Sequence, residues 1–319
     1  MSYIKRNFLL NSPLAEDLYF KVAKDLPIFD YHCHLSEYEI FEDKPIEDIY
    51  DAWLKSDHYK WRLMRNFGVS EEYIAGNKTK FEKFQMYCKT IGLALGNPLY
   101  HWSQLELEKY FNCDLEINEK NAKEIWEKAN AYIKENNITP SKLIKDSNVK
   151  IIYTTNHPLD NLEVFSKINS SNRGYKVFPA FRGDALINIF ASNFKELVLK
   201  LNANSFDEFE QKIIDKINYF KENGAKAADI SFSQIYPGFD KKLAEASFNK
   251  AMKNASLSEK EIEDYISYMS YFLAKEFSKA GFVFEIHLGA KRNNNTEMLN
   301  TLGPDTGYDS INENNTTEN

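Results

Sequence analysis

Two histidines near the N-terminus, His32 and His34, are separated by one residue and follow a short apolar run, Ile28-Phe29. In an extended strand, residues i and i+2 point to the same side, so both imidazoles would face one point. Imidazole nitrogens that converge in this way are typical ligands of a single divalent metal ion. The local pattern also allows a second interpretation, a pair of hydrogen-bonded histidines at the end of a strand.

Other residues that could do acid–base or ionic chemistry follow the remaining predicted strands. In parallel α/β folds, functional groups collect at the carboxyl ends of the strands. The residues predicted to lie there are Thr154 to His157, Arg182, Asp184, Asp229 and His287. Taken singly, His157 is also typical of a loop, Arg182 of a surface ion pair and Asp229 of a helix N-cap. Their shared position at strand ends is what predicts a common site.

Two further clusters concentrate polar and aromatic side chains. Residues 57–62, Asp-His-Tyr-Lys-Trp-Arg, place His58 beside Tyr59, and the start of an amphipathic helix is the alternative interpretation. Residues 292–296 and 302–307 form polar loops after the fifth predicted strand. Loops in that position often carry function, although a surface turn would have the same composition.

The elements that must position these residues are strands that alternate with helices. Short apolar runs predict five strands, which start near residues 28, 149, 176, 226 and 282. Alternation of this kind is typical of βαβ units and a parallel sheet. Helix starts are marked by Ser205 with Glu208 and by Ser258 with Glu261, both of which fit a capping box. Residues 36–145 contain helical patterns only, so we expect a helical insertion after the first strand.

Length, composition and charge narrow the class of protein. The 319 residues, 43% of them hydrophobic, are enough for a sizeable core. No apolar run approaches the roughly 20 residues of a membrane-spanning helix, and the first ten residues lack the apolar segment of a signal peptide. We therefore expect a cytoplasmic protein that does not bind a membrane. The formal net charge of −7 argues against nucleic acid as a partner.

Six segments together resemble the uronate isomerase (glucuronate isomerase) family. They are Asp30 to His34, Asp57 to Arg62, Asn97 to Trp102, Phe181-Arg182, His287 to Thr296 and Leu302 to Asp309. The resemblance implies an α/β fold of the (β/α)8 TIM-barrel type of the metal-dependent hydrolase superfamily, here incomplete with about five strands. It also implies aldose–ketose isomerisation in hexuronate catabolism, D-glucuronate to D-fructuronate and D-galacturonate to D-tagaturonate.

The resemblance further implies the roles of individual residues. The expected ligands of one divalent metal, Zn²⁺ or alternatively Mn²⁺, are His32 and His34, and no organic cofactor is expected. The residues expected to be catalytic are Tyr59, His58, Asp229 and His287. Those expected to bind the hexuronate are Arg182, Arg292, His58 and Tyr59. We expect Tyr59, or a water activated by the metal, to move the proton between C2 and C1 through an enediol.

The predicted organisation combines the helix and strand patterns with this resemblance. An N-terminal helix and first strand (1–35) would precede the helical insertion (36–145), strands two to five with their helices (146–311) and a polar tail (312–319). The family continues beyond the position that matches Asn319, so we expect an N-terminal portion that is poorly active alone. A homo-oligomer, or a chain that supplies further strands, would then complete it. The alternatives are a metal-dependent hydrolase on the same barrel and an inactive fragment that binds a sugar acid or a partner chain.

Overall fold

The computed structural model describes residues 4–312, which form two compact units. Within the described residues, the first unit comprises 4–28, 42–148 and 292–310, and the second comprises 29–41, 149–291 and 311–312. Residues 292–310 thus pack with the first unit, whereas the predicted division had grouped them with the strands. The division into domains remains a prediction, and the predicted polar tail lies outside the described residues except for Asn312.

Among the described residues, the second unit contains a five-stranded sheet. The strands, in sheet order, are β1 Ile28–Cys33, β2 Val149–Asn156, β3 Lys176–Arg182, β4 Ala227–Phe232 and β5 Val283–Leu288. The pairs from β2 to β5 are parallel. The prediction of five strands in a parallel α/β arrangement is confirmed, and each strand starts within one residue of its predicted position.

The central and edge strands differ in how far they are buried. Strand β4, Ala-Ala-Asp-Ile-Ser-Phe, is buried at five of its six positions, as expected for a parallel strand covered on both faces. The edge strands instead expose large apolar side chains, with Phe29 and Tyr31 on β1 and Val283 and Ile286 on β5. Exposed edges are sites at which further chains can pair. The predicted association with another copy or chain remains a prediction.

The sheet curls within the second unit. Arg182, Asp229 and Glu285 are register partners on β3, β4 and β5, so their side chains share one face. His32 on β1 contacts both Glu285 and His287 on β5, although β1 and β5 stand at opposite ends of the strand order. The concave faces of the two edge strands therefore meet, as in part of a barrel.

The concave face changes from apolar to polar along the strands. Tyr153, Ala180 and Ala227 form a buried cluster on β2, β3 and β4. Two residues further along, the same face carries Thr155, Arg182 and Asp229, because side chains alternate with a period of two. The polar groups thus lie at the carboxyl ends of the strands, where the prediction placed them.

Helices surround this sheet in the second unit. They are Glu37–Glu42, Glu163–Ser170, Asp184–Ile187, Phe194–Lys200, Phe206–Glu222, Lys241–Met252 and Glu259–Ala280. The capping box of Ser258 and Glu261 is confirmed. Ser205 caps the backbone N–H of Glu208, but the Glu208 carboxylate accepts from the backbone N–H of Asn204, so the predicted box at Ser205 is only half formed.

The first unit is mostly helical, as predicted for the insertion. Its helices are Pro13–Leu18 with a π-helical turn at Tyr19–Ala23, Ile49–Trp53, His58–Asn66, a 3₁₀ turn at Glu71–Tyr73, Lys80–Leu93, Pro98–Phe111, Ala122–Glu135, Pro140–Asp146 and Thr296–Leu302. Trp53, Phe84, Tyr87 and Phe111 lie in its core. Two short strands, Ala290–Lys291 and Ser310–Ile311, complete the described elements. Between residues 4 and 312, no helix combines the length and apolar character needed to cross a membrane.

Candidate active site

The two histidines of the first motif point at each other. His32 Nε2 lies 3.2 Å from His34 Nε2, although β1 ends at Cys33 and His34 is already beyond the strand. Two nitrogen ligands of a tetrahedral zinc ion, each at 2.0–2.1 Å, are about 3.3 Å apart. The same 3.2 Å separation is that of a hydrogen bond between the two rings, so the structure fits both interpretations of the motif, and the two imidazoles could hold one divalent ion.

A buried carboxyl group lies on the same concave face. Asp229 is completely buried, and neither of its oxygens accepts a hydrogen bond from any residue that the structure describes. Asp229 Oδ2 is 3.7 Å from Arg182 Nε and 4.0 Å from His287 Nδ1. Burial raises the pKa of Asp229 to about 6, with Asp184 adding to the rise and Arg182 opposing it. Because an unpartnered buried carboxyl is costly, its presence is typical of a functional site.

Arg182 is held at the end of β3 by Asp184. Arg182 Nε donates to Asp184 Oδ2 at 3.2 Å, and Asp184 Oδ1 accepts from the backbone N–H of Ser231 at 3.1 Å. Gly183 lies between them, and a Cβ there would come within 2.7 Å of the Ile230 side chain. The Arg182 side chain is about one third exposed, at 33%, so its guanidinium group is accessible to an anionic ligand.

His287 lies between the imidazole pair and the buried carboxyl group. Its ring centroid is 4.8 Å from that of His32. Burial lowers the pKa of His287, and the nearby His32 and Arg182 lower it further. The Nδ1 atom of His287 is buried and has no hydrogen-bond partner among residues 4–312. A neutral imidazole in this position can donate or accept a hydrogen bond with a ligand.

The sequence-predicted residues of the second unit therefore separate into two groups. The structure brings together His32, His34, Arg182, Asp229 and His287. His157 is a loop residue, because its Nδ1 accepts from the backbone N–H of Leu159 at 3.1 Å and its own backbone N–H donates to Asp160. Thr154 and Asn156 are buried and hydrogen-bond to each other at 2.7 Å.

Glu285 is a site residue that the sequence analysis missed. Its Oε2 lies 2.9 Å from His32 Nδ1. The signal that could have found it is its spacing from His287, since residues two apart on a strand face the same side. Burial raises the pKa of Glu285, and the adjacent His32 partly offsets the rise.

A second cluster lies within the first unit. Asp57 caps the helix His58–Asn66 and accepts from the backbone N–H groups of Tyr59 and Lys60, each at 3.0 Å. The rings of His58 and Tyr59 are 4.3 Å apart, and the Arg62 guanidinium lies 5.4 Å from the Tyr59 ring centre. The segment is thus the start of a helix, as the alternative interpretation had it, and it also presents two adjacent titratable side chains.

Arg292 belongs to this second cluster. Its Nη1 donates to Asp309 Oδ2 at 2.7 Å, while Asp309 Oδ1 accepts from the backbone N–H of Asn293 at 2.8 Å. Burial lowers the pKa of Arg292, but the Asp309 carboxylate and the Tyr59 hydroxyl raise it by more, so that the net pKa is raised. The two polar loops after the fifth strand therefore meet through Asp309.

The loop that carries Asp309 is fixed to the helix His58–Asn66. The Arg65 guanidinium donates to the Thr306 carbonyl and binds Glu71. The Tyr308 hydroxyl donates to Glu71 Oε1 at 3.1 Å, and Arg65 lies 4.3 Å from the Tyr308 ring centre. These contacts hold the loop in one position relative to Tyr59, within the same unit.

One acidic cluster in the first unit is close enough to hold a metal ion but already binds a lysine. Glu47, Asp48 and Asp51 bring three carboxylates together. The Lys80 ammonium group lies 2.8, 3.1 and 3.0 Å from their oxygens, respectively. The ammonium group therefore contacts all three carboxylates and offsets one of their three negative charges, and the imidazole pair is the better candidate metal centre.

Comparison with known proteins identifies the family. The family profile described as glucuronate isomerase matches residues 1–319. The uronate isomerase of Clostridium acetobutylicum is 43% identical over 98% of this chain and 68% of its own length, and that of Caldanaerobacter subterraneus is 42% identical over 97% and 68%. The crystal structure of uronate isomerase from Thermotoga maritima matches with a TM-score of 0.92 at 34% identity, over 98% of this chain and 70% of that one.

These matches confirm the predicted (β/α)8-type fold class and favour the isomerase over the hydrolase alternative. The chain spans 68% of the length of these two relatives and 70% of the length of the solved structure, and the expectation of an N-terminal portion that is poorly active alone stays a prediction. The predicted aldose–ketose isomerase class is confirmed by the same relatives. The chain belongs to the glucuronate isomerase family.

Proposed function

We propose that this protein interconverts D-glucuronate with D-fructuronate, and D-galacturonate with D-tagaturonate, with the help of one divalent metal ion. The family supports the reaction class. The observation that carries the proposal is the buried Asp229 carboxyl, which has no hydrogen-bond partner among the described residues and lies beside Arg182 and His287. A carboxyl in this environment is suited to accepting a proton from a bound substrate.

The proposed metal ligands are His32 and His34. Their Nε2 atoms converge, and imidazole nitrogen is a preferred ligand of Zn²⁺, whereas Mn²⁺ favours oxygen ligands. We therefore propose Zn²⁺ as the resident ion and Mn²⁺ as a weaker substitute. When bound, such an ion supplies a Lewis acid that polarises a substrate oxygen.

Arg182 is proposed to bind the carboxylate of the hexuronate. Its side chain is one third exposed and is oriented by Asp184. A guanidinium group can hold a carboxylate through two parallel hydrogen bonds, which fixes the orientation of the sugar as well as its charge. This local positive group is needed because the formal net charge of the whole chain is −7.

Asp229 is proposed to carry the proton between C2 and C1. In the aldose-to-ketose direction, the C2–H bond breaks, its electron pair forms the C1–C2 double bond and the C1 oxygen takes up a proton. The enediol then loses the proton of its C2 oxygen as C1 gains one, which gives the ketose. A base with a pKa of about 6 is largely ionised at neutral pH, yet its conjugate acid is strong enough to return the proton.

His287 is proposed to orient the hydroxyl groups next to the reacting carbons. Its pKa is lowered, chiefly by burial, so the neutral ring predominates at neutral pH and offers one donor and one acceptor. The assignments of His58, Tyr59 and Arg292 from the resemblance remain proposals. They are supported by the proximity of the His58 and Tyr59 rings and by the pairing of Arg292 with Asp309.

The proposal is tested by following D-glucuronate and D-galacturonate in D₂O by ¹H NMR. The wild-type protein should form the ketose and introduce deuterium, whereas Asp229→Asn should slow turnover by at least about 100-fold, the usual contribution of a positioned acid–base group. Asp215 is an exposed aspartate on the helix Phe206–Glu222, and Asp215→Asn is the matched control. Hydrolysis of a sugar lactone without any uronate interconversion would favour the hydrolase instead.

A further inference from the structure

We propose that Glu285 is a positioning residue for the metal centre. Its carboxylate holds the Nδ1 proton of His32 and so leaves the Nε2 lone pair directed toward the side on which His34 Nε2 lies. The inference rests on the proposed metal site of His32 and His34 and adds to it a residue that neither the motif nor the family match identifies.

The geometry of the contact carries this inference. Glu285 Oε2 lies 2.9 Å from His32 Nδ1, and both side chains are largely buried, with exposures of 13% and 17%. A neutral imidazole has one N–H and one lone pair, and an acceptor at one nitrogen keeps the proton there. With the proton on Nδ1, the Nε2 atom of His32 is a pure electron-pair donor, 3.2 Å from His34 Nε2.

Glu285 itself is poorly placed to be a metal ligand. It contacts the ring nitrogen of His32 that does not face His34. Its backbone lies in β5 as the register partner of Asp229 on β4, so its position is set by the strand rather than by a loop. A carboxylate on the outer nitrogen of a liganding histidine is known to orient the ring and to increase its basicity as a ligand.

The same contact joins the two edge strands of the sheet. His32 lies on β1 and Glu285 on β5, 253 residues apart in sequence. A role confined to joining the strands would affect stability only. A positioning role also fixes the tautomer of His32 and the affinity for metal, and these two quantities can be measured separately from stability and from isomerase activity.

The variants Glu285→Gln and Glu285→Leu separate the effects. The Gln amide oxygen can still accept from Nδ1, so Glu285→Gln should keep the tautomer and lose less than about tenfold in zinc affinity. Glu285→Leu removes the acceptor and should weaken zinc binding by about 10- to 100-fold, the usual range for loss of such a partner. Glu263→Leu, on the helix Glu259–Ala280 of the same unit, makes the same change of side chain away from the histidines and should leave affinity unchanged.

Zinc affinity is measured by competition with a chromophoric chelator, and the His32 tautomer by ¹⁵N NMR of the metal-free protein at pH 8, with His32→Ala for assignment. The predicted result is an Nδ1–H tautomer in the wild type together with the graded loss of affinity.

An Nε2–H tautomer in the wild type would overturn the proposal even if Glu285→Leu does not fold. Equal affinity of folded Glu285→Leu and wild type would also overturn it. If His32→Ala binds zinc as tightly as the wild type does, the proposed metal site itself fails, and the Glu285 proposal fails with it.

Discussion

Arg182 Nε lies 3.7 Å from Asp229 Oδ2, too far for a hydrogen bond, although the two residues are register partners on adjacent strands. The guanidinium group donates instead to Asp184 at 3.2 Å. Asp229 is therefore a buried carboxyl with a positive charge nearby but no donor among the described residues. Burial outweighs the attraction of Arg182 and raises the pKa of Asp229 to about 6.

This shift predicts that Asp229 destabilises the folded protein at neutral pH. The pKa of about 6 in the folded state exceeds the ordinary value of 3.8, so the folded protein binds the proton more tightly than the unfolded chain does. The free energy of unfolding therefore falls as pH rises from about 4 to about 6. Asp229→Asn should stabilise the metal-free protein by up to about 3 kcal/mol at pH 7.5 and by about half of that at pH 5.0.

Urea unfolding at the two pH values, with a chelator present, measures this difference. The Asp215 side chain is exposed, so Asp215→Asn should change the free energy of unfolding little at either pH. A destabilising effect of Asp229→Asn, or a stabilisation that does not depend on pH, would show that Asp229 is satisfied in the folded protein.

Replacement of Tyr59 by Phe should separate chemistry from binding. The change removes only the hydroxyl group and keeps the ring against His58 and Arg62. If the hydroxyl exchanges a proton with the C1 or C2 oxygen, while Asp229 serves the carbon atoms, kcat should fall by at least about 100-fold, with KM nearly unchanged. Tyr271→Phe, a tyrosine of similar exposure (48% against 50% for Tyr59), should keep normal turnover. Near-normal turnover by Tyr59→Phe would exclude the proposed role.

Gly307 should be needed for the loop that holds Arg292 through Asp309. It has a φ of +95°, and an added Cβ would lie 2.5 Å from the carbonyl oxygen of His58. Gly307→Ala must therefore move the loop away from the helix, and we expect a loss of about 1–3 kcal/mol in unfolding free energy together with a higher KM for uronates.

Gly68→Ala is the matched control for this substitution. Gly68 also has a positive φ, +75°, but nothing lies within 4 Å of the added Cβ. The control therefore reports the cost of backbone strain alone, and it should leave KM unchanged. An equal loss of stability in both variants, with unchanged KM in both, would mean that contact between the loop and the helix does not matter for substrate binding.

The strands and the histidine pair could be predicted because both depend on local sequence. The five apolar runs are short and bounded by polar residues or glycine, and a period of two places His32 and His34 on one side. The partner of His32 could not be predicted in the same way. Glu285 reaches it only because the sheet curls, and the contact spans 253 residues.

The environment of Asp229 was also beyond sequence reasoning. A polar residue at a strand end predicts a position, but not whether a neighbouring arginine will bind it. Here Asp184 takes the Arg182 hydrogen bond, which leaves Asp229 without a donor. His157 is a similar case. Its sequence position fits both a site residue and a loop residue, and the structure shows that Asp160 and the backbone of Leu159 complete a local turn around it.

We propose that this chain isomerises uronates through a metal centre formed by His32 and His34. The most direct test is conversion of D-glucuronate to D-fructuronate by the purified protein, first with zinc or manganese added and then with the metal chelated. We predict turnover that chelation abolishes, that zinc restores and that His32→Ala lacks. Turnover that persists after chelation and in His32→Ala would contradict this proposal, as would a folded, zinc-loaded protein that converts neither uronate.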